Sequence, residues 1–210
     1  MQEKIKNAFE WRAAIKSFDK EKKVEESLVN SIIEAGRMSA TAYGLQPFRL
    51  IEVKDATLRA QIKDAAYDQA QTVEASHLFA LTASTNVDAT YVRKYIENIA
   101  ETRGVSIDSL KGYEDMMLGM CSMSDSEKSA WVGKQAYIAL GAMLETAALL
   151  EVDAGPMEGF DKTKVDEILN LKEMHLSSIA FLCLGYRSDE DLYSKMKKVR
   201  LAINDFLIIK

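Results

Sequence analysis

Apolar residues recur at helical spacing over residues 2–11. They do so again from Glu25 to about residue 39, where Leu28, Val29, Ile32, Ile33 and Met38 share one face. The pattern breaks at residues 40–47, which read as a loop. It then changes to the partial alternation and β-branching of a strand over residues 48–53. A helix is predicted from about 56 to 66. Residues 77–83 are almost all apolar, which marks a strand buried on both faces.

Residues 88–123 are more polar and predict two helices around Gly104. Ser124-Asp125-Ser126-Glu127 has the form of a capping box, in which the hydroxyl and the carboxylate satisfy free amides at a helix start. The helix it opens extends to about residue 151, or ~40 Å at 1.5 Å per residue. Along it, Gly133, Ala136, Ala139 and Ala142 form a small-residue face that lets another helix come close. A third strand is predicted to end at Pro156, followed by a helix over 162–169 and a fourth strand over 176–184. Residues 203–210 are an apolar tail that something must cover. It is either a last strand of the chain's own sheet or a strand donated to a second subunit, which would make a dimer obligate. No repeat or linker divides the chain. The reading is one α+β domain over 1–210, with a four- or five-stranded sheet and a long central helix.

Composition narrows the classes. A chain of 210 residues with 48% hydrophobic content buries roughly 70% of its unfolded surface, so no disulfide or metal staple is needed. Net charge is −5, with 27 Lys and Arg against 32 Asp and Glu, which argues against a nucleic-acid partner. The longest apolar stretch, 136–150, contains Glu145 and falls short of the ~20 residues of a membrane span. The opening Met-Gln-Glu-Lys-Ile-Lys-Asn has no secretory pattern, so a cytoplasmic protein without a membrane partner is expected. Cys121 and Cys183 sit in no CxxC, and His77 and His175 give no zinc spacing. Reduced thiols and no metal are expected. The only prolines, Pro47 and Pro156, mark places where the backbone is fixed.

There is no phosphate-binding GxxxxGK[ST], no GxGxxG after a strand, no GxSxG and no HExxH. Chemistry must come from an organic cofactor, or there is none. Three segments stand out. Arg12 and Lys16 are spaced to face one anion, or else belong to a solvated basic face. Gly155-Pro156-Met157-Glu158-Gly159-Phe160-Asp161 lies between a strand and a helix, where Gly159 permits close approach of a ligand or simply completes a tight connection capped by Asp161. Lys195-Met196-Lys197-Lys198-Val199-Arg200 is a basic run near the C-terminus, a solvated stretch or a phosphate site.

In this order the segments resemble the oxygen-insensitive, FMN-dependent nitroreductase family. Residues 12–19 resemble its Arg-x-Ser-x-[Arg/Lys]-x-Phe-[Asp] start, and Ala-Thr-Ala-Tyr-Gly-Leu-Gln-Pro-Phe at 40–48 resembles its Pro-Ser-Ser-x-Asn-x-Gln-Pro-Trp segment. Glu74-Ala75-Ser76-His77, Trp131-Val132-Gly133-Lys134-Gln135-Ala136-Tyr137, the Pro156–Asp161 turn and Lys198-Val199-Arg200 fall at matching places, so the likeness spans essentially the whole chain. It implies a mostly antiparallel four-stranded sheet flanked by helices, with a fifth strand from the partner's C-terminal tail, residues 201–210. It also implies a homodimer with two FMN sites at the interface. Arg12, Lys198 and Arg200 would hold the FMN phosphate, with Ala14 at the same end. Lys16 would stand at the ring edge that gains negative charge on reduction. Glu158 and Gly159 would offer backbone amides to the ring, Pro156 would lie against it, and Asp68 and Gln71 would face its pyrimidine edge. Thr41 and Gly44 would come from the other subunit.

What the likeness implies for activity is a ping-pong cycle in which NADH or NADPH reduces the flavin and a nitroaromatic or quinone acceptor then takes the electrons. No side chain need act as nucleophile or general base. Residues 91–123 would form a variable lid whose methionines, Met117 among them, line the acceptor pocket or fill core gaps. Tyr43, Tyr67 and Phe48 are further candidates to flank the acceptor. Three positions depart from the family pattern: Ala14 replaces Ser, Gly44 replaces Asn, and Asp68 stands where Asn is common. An ionised Asp68 disfavours a reduced ring, so a lower potential is expected than in relatives with Asn. A flavin-binding protein without turnover, serving storage or regulation, is the alternative.

Overall fold

A computed structural model describes residues 1–210. The chain runs in order through α1 (Gln2–Trp11), α2 (Glu26–Arg37), β1 (Phe48–Glu52), α3 (Ala56–Ala65), α4 (Gln71–Glu74) and β2 (His77–Ser84). It continues through α5 (Ala89–Arg103), α6 (Lys111–Cys121), α7 (Asp125–Leu149), β3 (Asp153–Met157), α8 (Lys162–Ile168), β4 (Leu176–Gly185) and α9 (Ile203–Phe206). Side chains that fill the free amides of the first turn set several starts. Asp55 accepts from Leu58 N, Asp88 from Tyr91 N and Asp161 from Lys164 N. Both halves of the capping box at Ser124 and Glu127 are made. Gly104, at φ 65°, ends α5 in the left-handed conformation, where glycine carries no steric penalty.

The four strands form one antiparallel sheet in the order β1-β2-β4-β3, flanked by helices on both faces, an α+β architecture. Alternation divides the central strands between two cores. Phe79, Leu81, Ala180, Leu182 and Leu184 face α2 and α7. Leu78, Ala80, Phe181 and Cys183 face α3, α8 and the segment after α1. The register shifts between Leu81 and Thr82 of β2, which leaves Ile179 as the extra, bulged residue of β4. A third core joins α5, α6 and the start of α7 to Leu45. No helix is long and apolar enough to cross a membrane.

The structure decides three open points. The tail is no strand of the chain's own sheet, because Ile203–Phe206 form one helical turn and Leu207–Lys210 lie exposed beyond it. Ala136 and Ala139 of the small-residue face turn inward, where Gly36 of α2 meets Met143 and Ala139. The face therefore admits a helix of the same chain. Met117 is fully buried among Leu45, Val92 and Ile96, so it belongs to the core and lines no acceptor pocket; Met116, one residue earlier on α6, is exposed.

The segment after α1 crosses β3 closely. Ala14 bridges Ala154, Ile15 N donates to Ala154 O at 3.3 Å, and Asp19 N donates to Tyr186 O at 2.8 Å. A Cβ on Gly155 would stand 2.5 Å from Ile15 O, so only glycine admits the crossing. Gly155→Ala should therefore lower stability in urea unfolding by about 1–3 kcal/mol, the usual range for overpacking. Unchanged stability would mean that this crossing is not tight.

Candidate functional site

Arg12 is the C-cap of α1, where the chain turns extended to cross β3. The returning C-terminal segment meets it there. Arg12, Ala14, Lys198 and Arg200 line one cavity of about 720 Å³, together with Trp11 and Tyr193. Lys198 Nζ donates to the carbonyls of Phe9 and Glu10 at 2.6 and 2.7 Å, filling acceptors that the end of α1 leaves open. No carboxylate lies within 4.0 Å of the charged nitrogens of Arg12, Lys198 or Arg200. Burial, then the charges of Arg12, Arg200 and Arg187, press the Lys198 ammonium below the usual lysine range. Nearby Arg187 is held apart from this group by Asp153, which accepts from its Nη2 at 2.6 Å, and by Trp11, whose ring centre lies 4.4 Å from its guanidinium.

Lys16 follows on the same crossing and is half-buried. Its place is set through the backbone. The buried Asp191 carboxylate accepts from Lys16 N at 2.8 Å and Ser17 N at 3.0 Å, and its other oxygen accepts from Ser194 N at 2.7 Å. Burial raises the Asp191 pKa, but these donors outweigh it and hold the carboxyl below its ordinary range. Glu74 adds acceptors for Ser17 Oγ at 3.3 Å and Phe18 N at 3.2 Å.

Pro156 is half-buried on β3, and Glu158 and Gly159 emerge exposed beyond it. The segment after α3 joins this turn. Gln69 Nε2 donates to Gly159 O at 2.6 Å, and Asp161 N donates to Ala65 O at 2.8 Å. Tyr67 and Asp68 both take left-handed backbone angles, φ 54° and 62°, and both are exposed. Lys63 Nζ lies 2.7 Å from the Asp68 carboxylate, an ion pair at the surface. Gln71 is 1% exposed; its Nε2 donates to Gln69 Oε1 at 3.3 Å, while its Oε1 has no partner. A buried amide oxygen without a donor is a place for a ligand N–H.

Arg12, Lys16, Pro156, Glu158, Gly159, Asp68 and Gln71 thus follow the crossing, the end of β3 and the adjoining loop. Thr41, Tyr43 and Gly44 belong elsewhere in the chain. Their loop leans on α5 and α6, and on α7, where Ala42 N donates to Gln135 Oε1 at 2.8 Å. Phe48 opens β1 and packs against the α2 and α7 core. Asp191, Lys63 and Gln69 carry no motif signal, because each acts through a contact that the fold creates. No group of three or more His, Cys, Asp or Glu is placed to hold a metal ion, and both cysteines are free.

A sequence profile described as "Nitroreductase family" matches residues 9–186. A Staphylococcus haemolyticus protein named "Putative NAD(P)H nitroreductase" is 37% identical over 199 residues, 90% of this chain and 91% of that one. The crystal structure of Bacillus subtilis ydfN superposes with TM-score 0.88 at 16% identity over the whole of both chains. A structure from Exiguobacterium sibiricum, in complex with FMN, gives TM-score 0.80 at 18% identity, over 98% of this chain and 97% of that one.

With its pKa depressed in the fold, Asp191 contributes fully above the unfolded value near 3.9, and the contribution is lost as pH falls through the lower folded value. Asp191→Asn should be less stable than the native protein by about 1–3 kcal/mol near neutrality. The gap should narrow in urea unfolding below about pH 4. A gap independent of pH would remove the carboxylate's charge from the account.

Proposed function

The chain belongs to the nitroreductase family, and from that premise we propose that it is an FMN-dependent NAD(P)H oxidoreductase that reduces nitroaromatic or quinone-type acceptors. The observation that carries this reading is the cavity where Arg12, Lys198 and Arg200 meet without a carboxylate. Three cations so placed repel one another, and a doubly charged phosphate relieves that repulsion while accepting charge-assisted hydrogen bonds. The unpaired Gln71 Oε1 supports a ligand that also carries a ring N–H. FMN combines the two groups, and the residues present fit it.

Bound FMN would supply the carrier that takes hydride from NAD(P)H and passes two electrons to the acceptor. Arg12, Lys198 and Arg200 would anchor the phosphate. Lys16, held by its amide to Asp191, would bring positive charge to the ring edge that becomes more negative on reduction. The Glu158 and Gly159 amides would meet the ring's polar edge, Pro156 would give it a rigid apolar support, and Gln71 would accept from its N–H. Ala14 presents no hydroxyl to the phosphate, which leaves more of the binding to the three cations. Nicotinamide and acceptor would use one open face in turn, giving a ping-pong order. Tyr67, 72% exposed, would present its ring to either.

We also propose a homodimer. Ile5 and Phe9 of α1, Tyr137 and Ile138 of α7, and Phe206–Ile209 of the tail are exposed apolar residues on this chain. A partner's tail, residues 201–210, would cover such surface and add a fifth strand at the open edge of β1. Thr41 and Gly44 would then serve the partner's flavin, Tyr43 would flank the acceptor there, and residues 91–123 would lie over it as a lid.

Purified protein should be yellow with FMN absorbance and should bleach anaerobically on addition of NADH or NADPH. Colourless protein that fails to retain added FMN contradicts the reading, and a flavin that no nicotinamide reduces leaves a binding protein without turnover. Lys63→Gln should lower the flavin midpoint potential, by up to about 20 mV for a surface pair, because it leaves Asp68 unpaired. Dye-coupled titration measures this, and a raised potential would separate Asp68 from the ring.

A further inference from the structure

Residues 41–46 adopt a conformation that ordinary residues avoid. Tyr43 has φ 60°, Gly44 φ 70° and Gln46 φ 46°, so two non-glycine residues stand in the left-handed region within four positions. Such angles persist only where the surroundings hold them. Here the surroundings are hydroxyls of the lid. The Tyr43 carbonyl accepts from Tyr95 Oη at 2.9 Å and from Tyr113 Oη at 2.7 Å, one from α5 and one from α6. Tyr91 Oη donates to the Gln46 carbonyl at 3.1 Å, and the Tyr43 ring meets Tyr113 edge to face at 6.2 Å.

The same contact explains Gly44, where the family pattern carries Asn. A Cβ at this position would stand 2.5 Å from Tyr95 Oη but 3.7 Å from Cζ, so the hydroxyl adds a clash to a backbone at φ 70° that already favours glycine. Tyr95 is rigid beyond χ2, and displacing its hydroxyl breaks the bond to Tyr43.

We propose that Tyr95 and Tyr113 are positioning residues: their hydroxyls fix the Tyr43–Gln46 loop against the lid, and so set which acceptors fit beside Tyr43. This rests on the preceding reading, in which Tyr43 flanks the acceptor at the partner's flavin. The lid and the loop then move as one unit, and the aperture for the acceptor depends on two hydroxyl groups remote from the cofactor's anchoring cations.

The test uses the FMN-loaded protein carrying Tyr95→Phe and Tyr113→Phe, or Tyr113→Phe alone if the pair fails to fold. FMN content should be unchanged. The ratio of kcat/KM for a bicyclic quinone to that for benzoquinone should change at least about fivefold, mainly through KM. Hydrogen exchange at the amides of residues 44–46 should quicken at least about tenfold, with two hydrogen bonds lost in the pair and one in Tyr113→Phe alone. Gly44→Ala should disturb exchange and selectivity in the native background and do so less alongside Tyr95→Phe, where the clashing atom is gone and only the strain of φ 70° remains. A selectivity ratio within twofold of native, or equal effects of Gly44→Ala in both backgrounds, overturns the proposal. Native protein that binds no FMN would overturn the functional reading instead, while the exchange comparison on that protein still decides whether the hydroxyls hold the loop.

Discussion

The carbonyl of Ile15 occupies the space that a side chain on Gly155 would need, and this contact lays residues 12–19 directly on β3. The positions of Arg12, Ala14, Lys16, Pro156, Glu158 and Gly159 follow from it. Arg12 is left at the end of α1, Lys16 is carried to the sheet, and Pro156, Glu158 and Gly159 emerge from the strand just crossed. Asp191 then ties the crossing to the segment after β4, which leads on to Lys198 and Arg200. Three cations converge because two distant segments are pinned to the same edge of the sheet.

That convergence is electrostatically unfavourable until an anion arrives. Arg187 shows how the fold treats a cation it means to neutralise, with a bidentate carboxylate on one side and an indole on the other. Arg12, Lys198 and Arg200 receive no such partner. Lys198 is satisfied as a donor by the carbonyls of Phe9 and Glu10, which order its position and leave its charge uncompensated. In the proposed function, that repulsion prepares a site for an anion. The buried Gln71 oxygen likewise has no donor.

Local features of the sequence made the elements legible. The caps at Asp55, Asp88, Ser124 and Asp161 act within three residues, and the strand periodicity of 77–83 needs only its own side chains. Motif order indicated Arg12, Lys198 and Arg200, which the fold brings onto one cavity. What escaped depends on distance in the chain. Asp191 meets Lys16 across 175 residues, and Gln69 meets Gly159 across 90. Lys63 pairs with Asp68 only because the turn after α3 folds back on that helix. Met117 and Met116 are neighbours on a helix, and only packing decides which of them is buried. The tail's apolar run was visible, but a run of apolar residues does not specify whether its own sheet receives it.

The central claim is that the unpaired cations bind the phosphate of a flavin nucleotide. Calorimetric titration of the apoprotein with FMN and with riboflavin, at low and high salt, tests it most directly, since the two ligands differ only in that phosphate. The account predicts that FMN binds at least about 100-fold more tightly and that the difference shrinks as salt screens the cations. Equal affinities, or a difference indifferent to salt, would contradict it.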